Sequence, residues 1–263
     1  MALVHTHFFS NTLGRQTSCD VILPQKATKQ IGMESAERDK AQVLWLLHGA
    51  SDDETIWQRH TSIERYVSPL GLAVVMPSVE LSRYMNLSHG GRFYDYISKE
   101  LPEIMCGFFN FSSARKDNYI CGLSMGGAGA MKIGLANPDK YSVIGCLSAG
   151  IINHKLPETT DNIDPENDRF TFIAFDKREL KGSEEDVCAN AERIVAEKLP
   201  IPRIYHSTGS NDFLLQAAHF TRDFFDGFEG NPFGYVYEED PGAHTWEYWD
   251  EHIQRFLEFI YKK

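Results

Sequence analysis

Apolar runs alternate with amphipathic ones along most of the chain. Near the start, VHTHFFS (4–10) and CDVILP (19–24) read as a pair of outer strands. QVLWLLHG (42–49) and GLAVVMP (71–77) are nearly continuous in apolar residues, the mark of strands buried on both faces. Residues 93–109 carry helical spacing with charges to one side. NYICGLS (118–124) predicts a strand, GGAGAMKIGLANP (126–138) a helix stopped by proline, and YSVIGCLSAG (141–150) the next strand. A charged helix follows over 183–198, then a strand PRIYHSTG (202–209) and a helix over 213–226. The strand FGYVYEED (233–240) precedes a last helix over 245–261. This rhythm predicts the α/β class, with a mostly parallel central sheet and helices on both faces. In such sheets ligands gather at the carboxyl ends of the strands.

One segment breaks the rhythm. Residues 151–182 are rich in Asp, Glu, Asn and Pro around an aromatic patch, RFTFIAF (169–175). A structureless stretch this long inside a compact domain is commonly functional or disordered. Because it leaves a strand's carboxyl end, it is expected to form a short cap. Phe170, Phe172 and Phe175 would either turn down over an acyl pocket while the acidic groups face water, or pack against a helix away from the site.

At 263 residues the chain fits one domain spanning 1–263. A net charge of −11 with no Lys/Arg-rich block argues against a nucleic-acid partner. No run approaches the roughly 18 apolar residues of a membrane span. The N-terminus lacks a basic region followed by an apolar one, so no signal peptide is expected. The five cysteines (19, 106, 121, 146 and 188) form no CxxC pair and no zinc spacing. That usage favours a reduced, cytoplasmic setting. A homo-oligomer stays open.

Three residues fall just past predicted strands, in the order Ser124, Asp212, His244. Ser124 sits in Gly-Leu-Ser-Met-Gly (122–126), where a strand turns into a helix. A serine hydroxyl is a poor nucleophile at neutral pH and needs an imidazole to take its proton. The imidazole in turn needs a carboxylate to fix its tautomer. Singly, Asp212 reads as a helix cap and His244 as a loop residue. Their placement after three strands in this order is what makes a catalytic triad of them. The His-Gly turn that ends the apolar run at 42–49 can present a backbone N–H to an oxyanion. The second donor would be the N–H of Met125, with His48 packed beneath the turn as a structural group. Trp57, Phe93, Tyr94 and Trp246 flank these loops, and each reads either as pocket wall or as core. His5 and His7 share a strand face; with no carboxylate or third histidine evident nearby, they read as an exposed edge pair.

The segments FFSNTLG, LWLLHGASDDETIW, VVMPS, FYDYISKELPEIM, GLSMGGAGAMKIGLANPDKY, TGSNDFLL and GAHTWEYWDEHIQRFL together span nearly the whole chain. In them the chain resembles the esterase D branch of the α/β-hydrolases, close to bacterial tributyrin esterases. S-formylglutathione hydrolases and feruloyl and acetyl-xylan esterases are related. The resemblance implies Ser124 as nucleophile, His244 as base, Asp212 as acid, and backbone oxyanion donors at Ala50 and Met125. Outside that carry-over, the expected substrate-binding positions are Trp57 and Trp246, which flank the catalytic loops, and Phe170 and Phe172 from the segment 151–182. Such a site needs neither metal nor organic cofactor. The implied activity is hydrolysis of small, short-chain acyl esters through an acyl-enzyme. An S-formylglutathione-type thioesterase or an acyltransferase would use the same triad. A binding module without chemistry would have no need of all three groups.

Overall fold

Side chains alternate across each strand, and that alternation divides the core in two. Val43, Trp45 and Leu47 enter one apolar cluster while Leu44 and Leu46 enter the other. The protein is described by a computed structural model over residues 1–29, 31–32, 34, 36, 38–151, 173–176 and 179–262. Eight strands form one sheet: β1 (Ala2–Ser10), β2 (Arg15–Leu23), β3 (Gln42–Leu47), β4 (Leu72–Pro77), β5 (Asn118–Leu123), β6 (Val143–Leu147), β7 (Arg203–Gly209) and β8 (Val236–Asp240). Their order is β1-β2-β4-β3-β5-β6-β7-β8. The β1–β2 and β2–β4 pairs are antiparallel and every other pair is parallel.

The helices cover both faces, as the sequence rhythm predicts. The short α1 (Ile56–His60) and α2 (Ile63–Val67) share one cluster with the C-terminal helix Trp246–Tyr261. On the other face lie α3 (Phe93–Asp95), α4 (Leu101–Phe108), α5 (Met125–Ala136), α6 (Val187–Ala196) and α7 (Leu215–Asp226). The C-terminal helix is α8. No helix among the described residues is long and apolar enough to cross a membrane.

Three local departures have physical reasons. The single helix expected over 93–109 contains a π turn, Tyr96–Glu100, ahead of α4. Pro102 has no N–H to give the Ser98 carbonyl, and the Lys140 ammonium donates to that carbonyl instead at 2.6 Å. The strand expected from residue 233 begins at Val236. Asn231 brackets the preceding turn, accepting from the Tyr235 N–H at 2.7 Å and donating to the Tyr235 carbonyl at 3.1 Å. The pair His5 and His7 does lie exposed on the edge strand β1. A carboxylate is close after all: Asp20 faces His5 across the β1–β2 register, 2.7 Å from its Nδ1.

All five cysteines are free, and Cys121 and Cys146 pack as small apolar groups. The expected cap lies mostly outside the described residues, Phe170 and Phe172 included. From its described end, Ala174 and Leu180 are buried.

The buried histidine of β7 makes stability depend on pH. His206 donates from Nε2 to the Ala149 carbonyl at 2.9 Å and accepts at Nδ1 from the Tyr235 hydroxyl at 2.7 Å. Burial holds it neutral and lowers its pKa from 6.5 to about 4. The unfolded chain therefore binds more protons in this window, and the His206 contribution is complete above pH 6.5 and lost as pH falls toward 4. The linked loss is about 3 kcal/mol. Urea unfolding at pH 7 and pH 4.5 should show this slope, and His206→Gln should flatten it.

Candidate active site

The junction of β5 and α5 is built by close approach. Ser124 adopts φ 51° and ψ −119°, a backbone conformation that L side chains rarely adopt. Its N–H is held by the Leu147 carbonyl at 2.8 Å. The flanking glycines let the chain double back. A Cβ on Gly122 would stand 2.5 Å from the backbone of Gly126, and one on Gly126 would stand 2.5 Å from the Leu47 carbonyl oxygen. The turn thus pushes the Ser124 hydroxyl out at the carboxyl end of the sheet, where the topology directs ligands.

His244 and Asp212 arrive on two loops bonded to each other. The Ser210 N–H donates to the Asp240 carbonyl at 2.9 Å, and the Asn211 N–H to the Gly242 carbonyl at 2.8 Å. At Gly209 a Cβ would lie 2.5 Å from the Gly242 backbone. Across this junction His244 Nδ1 donates to both Asp212 oxygens, at 3.0 and 2.9 Å. The Ser124 hydroxyl donates to His244 Nε2 at 2.9 Å. Asp212 also accepts the Leu214 N–H at 2.8 Å. Burial pushes the Asp212 pKa up, but hydrogen bonds from His244 and Leu214 outweigh it and hold the carboxyl below its usual range. The neighbouring acids are engaged elsewhere: Glu239 with His219 at 2.6 Å and Asp240 with Arg255 at 2.6 Å.

The three sequence-derived residues are therefore brought together. Trp249 stands edge-on to the His244 ring at 4.9 Å between centroids, and Phe213 lies against it at 4.4 Å. His48 packs beneath the turn as expected. It accepts the Val79 N–H at Nε2, 3.1 Å, and its Nδ1 lies 2.7 Å from the Gly49 carbonyl. Burial lowers its pKa and keeps it neutral. Met125 opens α5, so its N–H has no acceptor within the helix. Ala50 and Met125 both border the cavity that holds Ser124.

That cavity has a volume of about 470 Å³ and a mainly apolar wall that includes Met85, Met131, Ile151 and Val187. Among the described residues that line it, neither Trp57 nor Trp246 occurs. Trp57 is 1% exposed, donates to the Leu47 carbonyl at 3.1 Å and meets Trp246 edge-on. Trp246 stacks on His60. Trp57 belongs to the core beneath the loops, its indole N–H pointing at the sheet, and Trp246 packs half-buried against that core. Phe93 and Tyr94 are core as well.

The walls that sequence reasoning missed are Phe213, 75% exposed, and Leu81, 54% exposed. Phe213 follows Asp212 directly, a signal that was there to be read. Phe175 also lines the cavity. Among the described residues one His/Asp/Glu group has ligand-like spacing, Glu238, Asp240 and His252. Arg255 already bonds both of its carboxylates, at 3.1 and 2.6 Å.

Comparison with known proteins agrees with this geometry. A family model described as "Putative esterase" matches residues 10–260. The acetyl esterase of Caldicellulosiruptor saccharolyticus is 29% identical over 266 residues, with 100% of this chain and 99% of that protein covered. The fluorophosphonate-binding serine hydrolase F (FphF) of Staphylococcus aureus, solved with substrate bound, is 33% identical with a TM-score of 0.83. It covers 100% of this chain and 99% of its own. The S-formylglutathione hydrolase (FrmB) of Staphylococcus aureus is 34% identical with a TM-score of 0.79, covering 98% of each chain.

The tightness of the elbow can be tested directly. A methyl group in Gly126→Ala would press on the Leu47 and His48 carbonyls, 2.5 and 2.6 Å away. Overpacking of this kind costs about 1–3 kcal/mol. Because those carbonyls lead into Ala50, kcat/KM should fall at least about tenfold at a temperature where the variant is still folded. Chemical denaturation and ester kinetics on the same preparation check both parts.

Proposed function

Because the chain belongs to this esterase family, and is thereby a carboxylic ester hydrolase of the serine type, we propose that Ser124, His244 and Asp212 are its catalytic triad. Its fold is that of the α/β-hydrolases. The observation that carries the proposal is the continuous chain of hydrogen bonds from Asp212 through His244 to the Ser124 hydroxyl.

Ser124 Oγ attacks the ester carbonyl while His244 Nε2 takes its proton. Asp212, held ionised, keeps Nδ1 protonated and stabilises the imidazolium. The oxyanion meets the N–H groups of Ala50 and Met125. Collapse expels the alcohol, which leaves with the proton from His244, and the acyl group stays on Ser124 Oγ. Water then attacks the acyl carbonyl with His244 as base, and the acid departs.

The substrates are small, short-chain acyl esters. A 470 Å³ cavity bordering Ser124 and the acetyl esterase relative both support this class. A thioester substrate is the second reading, favoured by the 34% identity to an S-formylglutathione hydrolase. Competing acetyl esters and S-acyl thiols in one assay separate the two. The domain is read as a single unit over 1–263. A cytoplasmic setting is part of the proposal, supported by the free cysteines.

Ser124→Ala should abolish hydrolysis of p-nitrophenyl acetate and leave thermal unfolding nearly unchanged; retention of more than a few per cent of activity would remove Ser124 as nucleophile. Asp212→Asn should lower kcat on the order of ten-thousandfold, since the amide favours the wrong imidazole tautomer. A loss below about tenfold would take the acid role away from Asp212.

A further inference from the structure

Among the described residues that line the cavity, the charged ones are Arg83, which is exposed, and one buried pair, Lys132 and Glu185. The Lys132 ammonium donates to Glu185 Oε2 at 2.7 Å and to the Arg83 carbonyl at 2.8 Å. Its side chain is 7% exposed and that of Glu185 6%, yet both residues line the cavity that contains Ser124. Met125, Ala128, Met131 and Lys132 come from α5 at helical spacing and border the same space. Lys132 stands eight positions after Ser124, about 12 Å along the helix axis. Side chains lean toward a helix's N-terminus, so Lys132 leans back toward the nucleophile. An apolar path therefore leaves Ser124 along α5 and runs into a charged pair.

The two kinds of wall treat a bound chain differently. Along Met125, Ala128 and Met131 each added methylene gains transfer energy. Against Lys132 and Glu185 an apolar tip returns no hydrogen bond and removes the pair from any further polar contact, which is unfavourable. A tip that carries a hydroxyl or amide can bond to the charged groups.

We propose that the Lys132–Glu185 pair sets the far end of the acyl path. The enzyme then accepts short apolar acyl groups and, at the length that reaches the pair, prefers a chain tipped with a hydroxyl or amide over a plain one. This inference rests on Ser124 as the nucleophile, and it makes Lys132 and Glu185 specificity-determining residues that do not touch the reacting atoms.

The test uses p-nitrophenyl acetate, butanoate, hexanoate, octanoate and 6-hydroxyhexanoate with wild type, Glu185→Gln, and the double variant Lys132→Met/Glu185→Leu. Replacing both partners of a buried ion pair by apolar groups of similar size is commonly tolerated by the fold. In the double variant kcat/KM for the octanoate should rise at least about tenfold, acetate should stay within about threefold, and the preference for 6-hydroxyhexanoate over hexanoate should vanish. A folded double variant with the wild-type length profile would overturn the inference. If the double variant does not fold, Glu185→Gln decides: a reduced hydroxy preference supports the pair's role, and an unchanged one overturns it. Fluorophosphonate labelling of each protein checks the nucleophile separately. An unlabelled wild type would defeat the reading of Ser124 itself, whereas labelled variants with unchanged profiles defeat only the specificity claim.

Discussion

The structure depends on how closely two backbones approach beneath Ser124. The start of α5 packs against the end of β3 with no room for a Cβ at Gly122 or Gly126. That contact does two jobs at once. It forces Ser124 into a left-handed conformation that projects its hydroxyl, and it sets the start of α5 beside the turn that carries Ala50. The proposed nucleophile, Ser124, and the proposed oxyanion donors, Ala50 and Met125, are thereby fixed by one junction instead of two independent loops. Strain of about 1–3 kcal/mol at such a residue persists only when its surroundings over-determine it. Here the parallel strands β3, β5 and β6 supply that constraint.

The second half of the site follows the same logic. The loops after β7 and β8 are tied by backbone hydrogen bonds at 210–240 and 211–242, so Asp212 and His244 are positioned relative to each other before either meets Ser124. Burial and bonding then divide the labour among the ionisable groups. Asp212 is kept ionised by the donors that face it, whereas His48 and His206 are kept neutral by burial and serve only as hydrogen-bonding struts. On the cavity side, the Lys132 ammonium pairs with the Glu185 carboxylate at 2.7 Å.

Much of this was legible in the sequence, for reasons particular to parallel sheets. Strands β3 to β6 are buried on both faces, so each writes a nearly unbroken apolar run, and the chemistry sits just past those runs. What stayed illegible depends on distance in sequence or on competition within short segments. Helices α1 and α2 are five residues each, too short to register a period. The π turn arises from one proline and one distant lysine. Trp57 and Trp246 looked equally fit for pocket or core; burial and the direction of its indole N–H toward Leu47 decide Trp57 for the core, and Trp246 packs half-buried against it. Glu185 meets Lys132 across 53 residues, a pairing that no local pattern announces.

The central claim is that one particular hydroxyl carries the acyl group. Mass spectrometry of proteolytic fragments after reaction with a fluorophosphonate tests it most directly, because a phosphonylated serine hydrolase keeps the adduct on its nucleophile. The account predicts one added phosphonyl group per chain, on the fragment containing Gly122–Gly126 and localised to Ser124, with none in Ser124→Ala. A stoichiometric adduct on any other residue, with Ser124 unmodified, would contradict it.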